Sequence, residues 1–320
     1  MNSNYFIEIQ GLTVSFNTPQ GEIRAVDGVS LGVRKGETLA LVGESGSGKT
    51  TLGLALLKMV PPPGRITQGS INVDNIDILE LRGEALRRYR WKKVAMVFQS
   101  AMNALDPVKT VGSQIAETIV QHENVDKKQA KARVLKLLET VGLAPEVAES
   151  YPHQLSGGMK QRVVIALAIC LNPEVLIADE PTTALDVVVQ AEIMRVLKEL
   201  KERLNLTIIL ITHDVSIIGS VSDRVAIMYA GRLVEEGPTS SVITEPSHPY
   251  TQALLASLIE PRRDGQVVVG IQGSPPNPLA LPSGCKFNPR CLYAFERCRN
   301  GEPTLIELGR DRRVACWLRC

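Results

Sequence analysis

The 320-residue sequence predicts an α/β fold, and three observations point to it. Short, nearly continuous apolar runs, typical of strands buried on both faces of a parallel sheet, occur at Thr38–Val42, Val94–Phe98, Val175–Ala178 and Thr207–Ile211. Helical patterns separate these runs, as crossover helices do, at Thr50–Leu57, Gln129–Val141, Arg162–Leu171 and Val187–Arg203. The third observation is a different, alternating pattern at the N-terminus.

In that N-terminal stretch, apolar and polar residues alternate from Phe6 to Phe16, which predicts a half-buried antiparallel sheet of short strands. We expect turns between those strands at Gly21 and at Lys35 and Gly36. Residues from about 100 to 170 contain helical patterns and no strand pattern, so we predict a helical insert there.

Proline becomes frequent after residue 245, and in that part of the chain only Tyr250–Ser257 predicts a helix. Few of its residues are expected to form a core. We therefore divide the chain into a domain over residues 1–245, which includes the helical insert, and a small extension over residues 246–320.

The composition argues against a nucleic-acid-binding protein, and the apolar pattern argues against a secreted or membrane-spanning one. The chain has 36 basic and 34 acidic residues, a net charge of +2 and 4% aromatic residues, a balance that does not favour nucleic acid as a partner. The N-terminus lacks the basic start and apolar run of a signal peptide, and no apolar run approaches the roughly 18 residues of a membrane-spanning helix. We expect a cytosolic protein that could still dock on a membrane protein.

The segment after Thr38–Val42 matches the pattern G-x-x-x-x-G-K-[ST] and stands between a predicted strand and a predicted helix. Glycines allow such a loop to wrap a phosphate with backbone N–H groups, and the next helix N-terminus adds positive potential. We expect Lys49 to reach the β- and γ-phosphates and Thr50 to ligate Mg²⁺; the alternative is an ordinary glycine turn. The nucleotide-binding candidates are Gly43, Glu44, Ser45, Gly46, Ser47, Gly48, Lys49, Thr50 and Thr51.

Two carboxylates end the apolar run Val175–Ala178. Asp179 is placed to hold the Mg²⁺ shell, and Glu180 is placed to orient or deprotonate an attacking water. Seen alone, the pair could be a strand end that happens to be acidic.

A second candidate for anion binding precedes the apolar helix Arg162–Leu171. Ser156, Gly157 and Gly158 combine a hydroxyl group with two glycines that expose N–H groups at a helix start. The alternative is a plain N-cap with a flexible lead-in.

These motifs, together with Gln99, the triplet Ala184–Asp186 and His213, stand in the order and spacing of ABC transporter ATPases, which residues 5–245 resemble. The resemblance implies a P-loop ABC ATPase domain with a mixed sheet core, an antiparallel N-terminal sheet and a helical insert. It also implies a head-to-tail pair of subunits. Each ATP would lie between the phosphate loop of one chain and the signature loop, residues 155–161, of the other.

The same resemblance implies roles for single residues. Gln99 senses Mg²⁺ and the attacking water, Asp186 belongs to a loop that crosses between subunits, and His213 contacts the γ-phosphate beside the general base Glu180. Phe16 matches the aromatic residue that stacks on adenine. Taken alone, Gln99 could cap a strand, His213 could end one, and Phe16 could belong to the core.

Further features resemble one subgroup, the ATPases of dipeptide, oligopeptide and nickel importers. They are the stretch Ser247–Leu254, the stretch Tyr151–Gln154 and the cysteine-rich end of the chain. The resemblance implies a second ATPase subunit, the same or related, two multi-span permease subunits at the cytoplasmic face of the membrane, and an extracytoplasmic peptide-binding protein as an indirect partner. Residues 100–107 depart from the subgroup's usual pattern where the permease is expected to bind.

Five of the six cysteines lie in the last 36 residues. Four of them, spaced C-x5-C-x6-C-x17-C, could hold an iron–sulfur cluster or zinc as thiolates, or could be free thiols; they are Cys285, Cys291, Cys298 and Cys316. The resemblance to the importer subgroup implies a [4Fe–4S] cluster. Cys320 exceeds the four-ligand pattern, and Cys170, in an apolar helix, is expected to serve packing.

The sequence thus predicts a subunit that binds and hydrolyses ATP to power the import of di- and oligopeptides, with ATP, Mg²⁺ and an iron–sulfur cluster as its cofactors. One alternative keeps this role and changes the cargo to nickel or another solute. An alternative of another class is a soluble ABC ATPase that acts on DNA, for which the basic tail and its aromatic residues give some support.

Overall fold

The structure, a computed structural model, describes residues 5–256, 271–309 and 311–320. The strands in these residues are β1 Ile7–Thr18, β2 Gly21–Val33, β3 Thr38–Val42, β4 Gly64–Val73, β5 Ile76–Asp77, β6 Val94–Val97, β7 Val175–Asp179, β8 Thr207–Thr212, β9 Arg224–Tyr229, β10 Arg232–Pro238, β11 Ile306–Gly309 and β12 Arg312–Val314. The four predicted buried strands match β3, β6, β7 and β8 to within one residue.

The α-helices of the same residues are α1 Lys49–Leu56, α2 Gly83–Lys92, α3 Val111–His122, α4 Lys127–Thr140, α5 Gly157–Ile169, α6 Val187–Leu204, α7 Ile218–Val221, α8 Thr239–Thr244, α9 Pro249–Ala256 and α10 Glu296–Asn300. Short 3₁₀ helices lie at Ala101–Ala104, Pro145–Glu149, Pro152–Gln154 and Asn288–Arg290. The predicted helix Tyr250–Ser257 corresponds to α9, and its last residue lies outside the described residues. None of the helices in the described ranges is long and apolar enough to cross a membrane.

The chain forms two compact units, one from Met1–Glu80 and Ile211–Cys320 and the other from Leu81–Leu210. The first unit contains a four-stranded antiparallel sheet in the order β2-β1-β4-β5, which confirms the predicted N-terminal sheet. Its first two strands are longer than the short strands expected. Gly11 and Gly28 adopt positive φ angles where the register shifts, so the glycines bend continuous strands instead of ending them.

The second sheet of this unit runs β11-β12-β10-β9-β3. β3 and β9 are parallel, with Leu39 opposite Arg224, whereas β9, β10, β12 and β11 pair in antiparallel fashion. The mixed sheet predicted from the sequence is therefore present. The last two strands come from the C-terminal extension and continue this sheet at its edge.

The core under this sheet joins residues of β9 to residues of the C-terminal extension. Tyr229 of β9, Tyr250 of α9 and Phe287 are buried, and their ring centroids lie 4.6 to 5.4 Å apart. Aromatic pairs at such distances add to the free energy gained by burying their apolar area. The extension therefore contributes more to the core than its proline-rich sequence predicts.

The second unit combines parallel strands with helices. β6 pairs with β7 in parallel, from Val94 opposite Val175 to Val97 opposite Ala178, and β8 follows β7 in the strand order. Residues 100–170 contain α3, α4, α5 and short 3₁₀ helices but no strand, which confirms the predicted helical insert. Asp126 and Gln129 form a capping box at the start of α4, which satisfies N–H groups that the helix itself leaves unpaired.

Candidate functional site

The predicted phosphate-binding loop connects β3 to α1 in the first unit. Lys49, the first residue of α1, is buried. Its Nζ donates hydrogen bonds to the carbonyl oxygens of Gly43 and Glu44, at 2.7 and 2.8 Å, and to Oγ of Ser47 at 3.3 Å. The ammonium group thus lies within the curve of the loop and adds its charge to the N–H groups of a helix N-terminus.

Two glycines of the loop are required by close backbone contacts. A Cβ atom at Gly43 would lie 2.2 Å from the carbonyl oxygen of Met228, and one at Gly48 would lie 2.1 Å from the carbonyl oxygen of Ala25. Gly48 also has a φ of +99°, which disfavours any side chain. Gly46 differs, because its φ of +77° is combined with open space around the missing Cβ.

The other candidates of the first unit surround the loop in sequence or belong to nearby strands. Thr50 is exposed and Thr51 half-buried in the first turn of α1, and His213 is exposed directly after β8. Phe16, half-buried, pairs with Ile23 of β2, and its ring lies 2.5 Å from where a Cβ of Gly64 would stand. The Phe16 ring therefore packs on the strand β4 in addition to any contact with a nucleotide.

Glu44 is held by two groups that the sequence does not predict. The Glu44 N–H donates to Oη of Tyr250 at 2.9 Å, and both carboxylate oxygens accept from Arg290, at 2.7 and 3.0 Å. Arg290 and Glu44 are 246 positions apart in the sequence, so no local pattern connects them. The nearest signal in the sequence is the position of Arg290 directly before Cys291.

In the second unit, the structure brings Gln99 and Glu180 together. Each lies two residues beyond the paired positions Val97 and Ala178, at the same ends of the parallel strands β6 and β7. The Gln99 Nε2 donates to Oε2 of Glu180 at 3.0 Å, and Thr183 Oγ1 donates to the same oxygen at 3.0 Å. Thr183 is a second residue to which the sequence assigned no role, although it lies within the same short segment as Glu180.

Asp179 and Glu180 differ in environment. Asp179 is the last residue of β7 and is 1% exposed, whereas Glu180 is half-buried. Glu180 has a φ of +47°, a left-handed conformation that costs about 1–3 kcal/mol for a residue with a side chain. The turn from β7 therefore places two consecutive carboxylates in different environments, one buried and one half-buried.

The signature loop begins helix α5 at Gly157, five positions before the predicted helix Arg162–Leu171. Ser156 is the N-cap, and its Oγ accepts from the Met159 N–H at 3.3 Å. A Cβ at Gly158 would lie 2.6 Å from Cγ1 of Val189 in α6. Gly158 therefore allows a close approach between helices, besides any exposure of N–H groups.

Asp186 is the N-cap of α6 and accepts from the Val189 N–H at 3.0 Å. The two residues that follow it, Val187 and Val188, are 80% and 70% exposed. Ser156, Gly157 and Gln99 are also exposed, so most of the second-unit candidates other than Asp179 lie at the surface. The start of α6 therefore presents two adjacent apolar side chains at the surface.

The four predicted ligand cysteines lie near one another in the first unit. Cys298 and Cys316 are buried, and Cys285 and Cys291 are half-buried. Burial raises the pKa of Cys285 to about 11 and also raises the pKa of Cys291 and Cys316, and neighbouring thiols of the set add to each rise. Across the described ranges, no group of three or more His, Cys, Asp or Glu side chains is arranged to hold a metal ion.

The other two cysteines are separate from this set. Cys170 is buried in the second unit, and burial raises the pKa of its thiol to about 12, as expected for a packing residue. Cys320 is exposed, and its Sγ donates to the carbonyl oxygen of Cys316 at 3.3 Å.

Comparison with protein-family models gives two matches relevant to these features. A model described as "ABC transporter" matches residues 26–183, and one described as "Oligopeptide/dipeptide transporter, C-terminal region" matches residues 234–298. The first match includes the phosphate loop, the signature loop and Glu180. The second includes Tyr250, Arg290 and three of the four clustered cysteines.

Curated relatives match over nearly the whole chain. The dipeptide transport ATP-binding protein DppD of Haemophilus influenzae is 46% identical over 97% of this chain and 94% of its own length. The oligopeptide transport ATP-binding proteins AppD of Bacillus subtilis and OppD of Escherichia coli are 43% and 42% identical, over 98% and 97% of this chain and 96% and 92% of their own lengths.

Solved structures show the same architecture. The ATP-binding cassette MJ0796 bound to ADP and Pi has a TM-score of 0.64 and 30% identity, covering 73% of this chain and 98% of its own. CbiO1 from Clostridium perfringens, part of the ABC transporter complex cbiONQ, has a TM-score of 0.67 and 29% identity, covering 76% of this chain and 92% of its own. The predicted class of fold is therefore confirmed.

Proposed function

The chain belongs to the ABC transporter family, among the dipeptide and oligopeptide transport ATP-binding proteins, and on that premise we propose that it hydrolyses ATP to power a peptide importer. The observation that carries the hydrolytic role is the hydrogen bond from Gln99 to Glu180, which orients a carboxylate at the end of a buried strand. The names of the relatives favour transport over an action on DNA.

The phosphate loop of the first unit supplies the binding part of this function. Lys49 is proposed to hold the β- and γ-phosphates, with the loop N–H groups around them, and Phe16 to stack on adenine. Lys49 already lies within the loop, bonded to its carbonyl oxygens, so little rearrangement is needed before phosphate binds. His213 is proposed to contact the γ-phosphate.

Glu180 is proposed as the general base that takes a proton from the attacking water. Gln99 and Thr183 both donate to the carboxylate oxygen Oε2 and so orient the Glu180 side chain for its proposed task of accepting a proton from water. Oxygen donors suit Mg²⁺, and the set proposed to hold it is Thr50, Gln99 and Asp179. The ion supplies neutralisation of charge on the phosphate oxygens when it is bound.

The partners are proposed from the surface of the second unit. Ser156, Gly157 and Asp186 are exposed, as expected for loops that complete the ATP site of a second ATPase subunit, the same chain or a related one. Val187 and Val188 would be covered in such a pair. Two multi-span permease subunits and, indirectly, an extracytoplasmic peptide-binding protein complete the proposed importer, with this chain peripheral at the cytoplasmic face of the membrane.

We further propose a [4Fe–4S] cluster on Cys285, Cys291, Cys298 and Cys316. The thiols are close enough to raise one another's pKa, so deprotonating them together would cost free energy unless a cation compensates. A zinc ion would need all four sulfurs at about 2.3 Å from one point, whereas each iron of a cluster takes one thiolate. Soft thiolate ligands suit both groups, and the resemblance to the importer subgroup favours the cluster over zinc.

The transport proposal is tested in liposomes that contain the complete importer, with labelled di- and tripeptides outside and ATP inside. We expect uptake that depends on ATP and is lost in Lys49→Ala. Uptake of Ni²⁺ instead of peptides would move the cargo to the nickel alternative, and ATP-independent uptake would remove the proposal.

The cluster proposal is tested on protein purified without oxygen, by a visible absorption spectrum with iron, sulfide and zinc measured on the same sample. A broad absorption band with matching iron and sulfide supports the cluster, and Cys291→Ser should abolish both. Cys170→Ser and Cys320→Ser are the matched controls and should retain them. Zinc alone, or no metal, would contradict the cluster.

A further inference from the structure

We propose that the C-terminal extension positions the phosphate-binding loop, and that Arg290 is the residue through which it does so. The inference rests on the proposed function of that loop in binding ATP. Its basis is the set of contacts that Glu44 makes with Tyr250 and Arg290, both from the extension.

The peptide bond between Gly43 and Glu44 is held from both sides. Its carbonyl oxygen accepts from Lys49 Nζ at 2.7 Å, and its N–H donates to Tyr250 Oη at 2.9 Å. In a trans peptide these two groups point in opposite directions, so the pair of bonds fixes the peptide plane. Lys49 is thereby placed by a carbonyl group whose orientation depends on Tyr250.

The side chain of Glu44 is held by a bidentate ion pair. Both nitrogens of the Arg290 fork reach its carboxylate, and the Arg290 side chain is only 6% exposed. A bidentate, largely desolvated pair is stronger and more directional than a surface ion pair. The hydrogen bond to Glu44 also raises the pKa of the Arg290 guanidinium, which therefore stays charged.

Arg290 is itself held by two carbonyl groups of the extension and by a tyrosine of β9. Its Nε donates to the Gln272 carbonyl at 2.8 Å, one terminal nitrogen donates to the Gly273 carbonyl at 3.2 Å, and the other to Tyr229 Oη at 3.2 Å. Every nitrogen of the guanidinium group thus has a partner in addition to, or instead of, Glu44. These hydrogen bonds hold the guanidinium group of Arg290 in place. It therefore gives the Glu44 carboxylate of the loop a partner with a defined position.

The backbone around Arg290 belongs to the cysteine-rich segment. The 3₁₀ helix Asn288–Arg290 lies between Cys285 and Cys291, and Phe287 at its start is buried against Tyr229 and Tyr250. The Asn288 N–H donates to the Cys285 carbonyl, and the Cys291 N–H to the Asn288 carbonyl. The fold of the cysteine-rich segment therefore sets the position of Arg290. Through the ion pair with Glu44, it also sets the conformation of the phosphate-binding loop.

The extension also lines the outer side of the loop. A cleft of about 290 Å³ has Glu44, Ser45, Gly46 and Ser47 in its wall, together with Pro275, Pro276, Pro278 and Leu281. Proline fixes φ, so this wall loses little conformational entropy on folding. The loop is thus supported at Glu44 and bordered over its next three residues.

The test measures the dissociation constant for a fluorescent ATP analogue, and KM and kcat for ATP in the assembled transporter, for Arg290→Ala and Arg290→Lys. We expect Arg290→Ala to weaken nucleotide binding about tenfold, the order expected for losing one charge-assisted hydrogen bond, and to raise KM more than it lowers kcat. Arg290→Lys keeps the charge without the fork and should recover part of the affinity.

The matched control is Arg232→Ala. Arg232 also joins the extension to the rest of the first unit, through Glu302 and Asp27, but has no contact with Glu44. It should lower the melting temperature without weakening nucleotide binding. Equal weakening by both variants, or wild-type affinity in Arg290→Ala, would overturn the inference.

A double variant distinguishes an effect of Arg290 through Glu44 from a general loss of folding. If Arg290 acts through Glu44, then Glu44→Gln combined with Arg290→Ala should bind the analogue no more weakly than Arg290→Ala alone. Additive losses would overturn the inference. If the wild-type chain fails to bind the analogue, or if Lys49→Ala binds it equally well, the proposed function itself fails, a result distinct from either outcome for Arg290.

Discussion

The phosphate loop of the first unit and the Gln99–Glu180 segments of the second unit differ in how completely one chain supports them. In the loop, Lys49, Ser47 and Gly43 are buried, and hydrogen bonds with Tyr250 of α9 and Lys49 of α1 hold its backbone. In the second unit, Gln99 is exposed and Glu180 half-buried, and its carboxylate is held by two neutral side-chain donors.

This difference separates binding from chemistry. A phosphate loop that is held in shape by its own chain can bind nucleotide before any partner arrives, because its ordering free energy is already spent in folding. The exposed second-unit residues would gain further contacts if a second ATPase subunit covers them, as proposed above. We therefore expect changes in the second unit to affect turnover in the assembled transporter, and changes in the loop to affect nucleotide affinity in the isolated chain.

The largest effect is expected from Glu180→Gln. Loss of the general base should lower ATP turnover of the assembled transporter about 10²–10⁴-fold, while nucleotide binding persists and ATP-bound dimers accumulate. Turnover assays and size-exclusion chromatography with ATP measure the two outcomes. Glu202→Gln, an exposed carboxylate on α6, is the control. Unchanged turnover in Glu180→Gln would show that another group takes the proton.

Lys49→Ala should affect the phosphate loop, and with it nucleotide affinity instead of turnover. Removing a buried ammonium group that is proposed to bind phosphate should weaken ATP binding by the isolated chain about 10–100-fold, the range for hydrogen bonds to charged groups. Isothermal titration calorimetry checks this. Lys128→Ala, an exposed lysine on α4, should bind as the wild type does, and a parallel loss there would make the effect non-specific.

A pair of glycine variants sharpens the account of the loop. Gly48→Ala adds a Cβ 2.1 Å from a carbonyl oxygen, whereas Gly46→Ala adds one in open space at a similar positive φ. We expect Gly48→Ala to destabilise the loop by about 1–3 kcal/mol more than Gly46→Ala, because only the first creates a backbone clash. Thermal unfolding and ATP affinity measure this. Equal effects would mean that φ strain alone governs both positions.

The stability of the fold around Tyr250, which supports the loop, is expected to decrease at low pH. The Tyr250 N–H donates to Nδ1 of His248, and burial lowers the pKa of His248 to about 3, opposed by a hydrogen bond to the Ala315 backbone. Unfolded histidine binds a proton near pH 6.5, so unfolding is favoured as the pH falls from about 6.5 towards 3, by about 1.4 kcal/mol per pH unit.

Urea unfolding at pH 7.5, 6 and 5 tests this expectation. The free energy of unfolding of the wild type should fall more steeply than that of His248→Gln, by the equivalent of one proton. Parallel curves for the two proteins would show that His248 is not the group that responds. Hydrogen exchange at the same pH values would locate the loss of protection in the first unit.

Local patterns in the sequence predict the parts of this molecule that depend on neighbouring residues. The buried strands β3, β6, β7 and β8 and the phosphate loop belong to this group. β10 was missed because its Glu235 and Glu236 give it the composition of a surface segment. Both are buried and pair with arginines far along the chain, and the half-buried Glu44 likewise pairs with the distant Arg290.

The burial of Glu235 and Glu236 restricts how far the chain can be shortened from its C-terminus. Glu235 accepts from the Ser247 and His248 N–H groups and pairs with Arg312, and Glu236 pairs with Arg224 and Arg313. A stop codon before residue 312 would leave the first carboxylate without its arginine and the second with Arg224 alone, at a cost of about 3–5 kcal/mol for each broken buried pair. Early termination would therefore yield an unstable chain that cells degrade, not a shorter ATPase without its extension. The ATPase domain and the extension must therefore be kept in one chain.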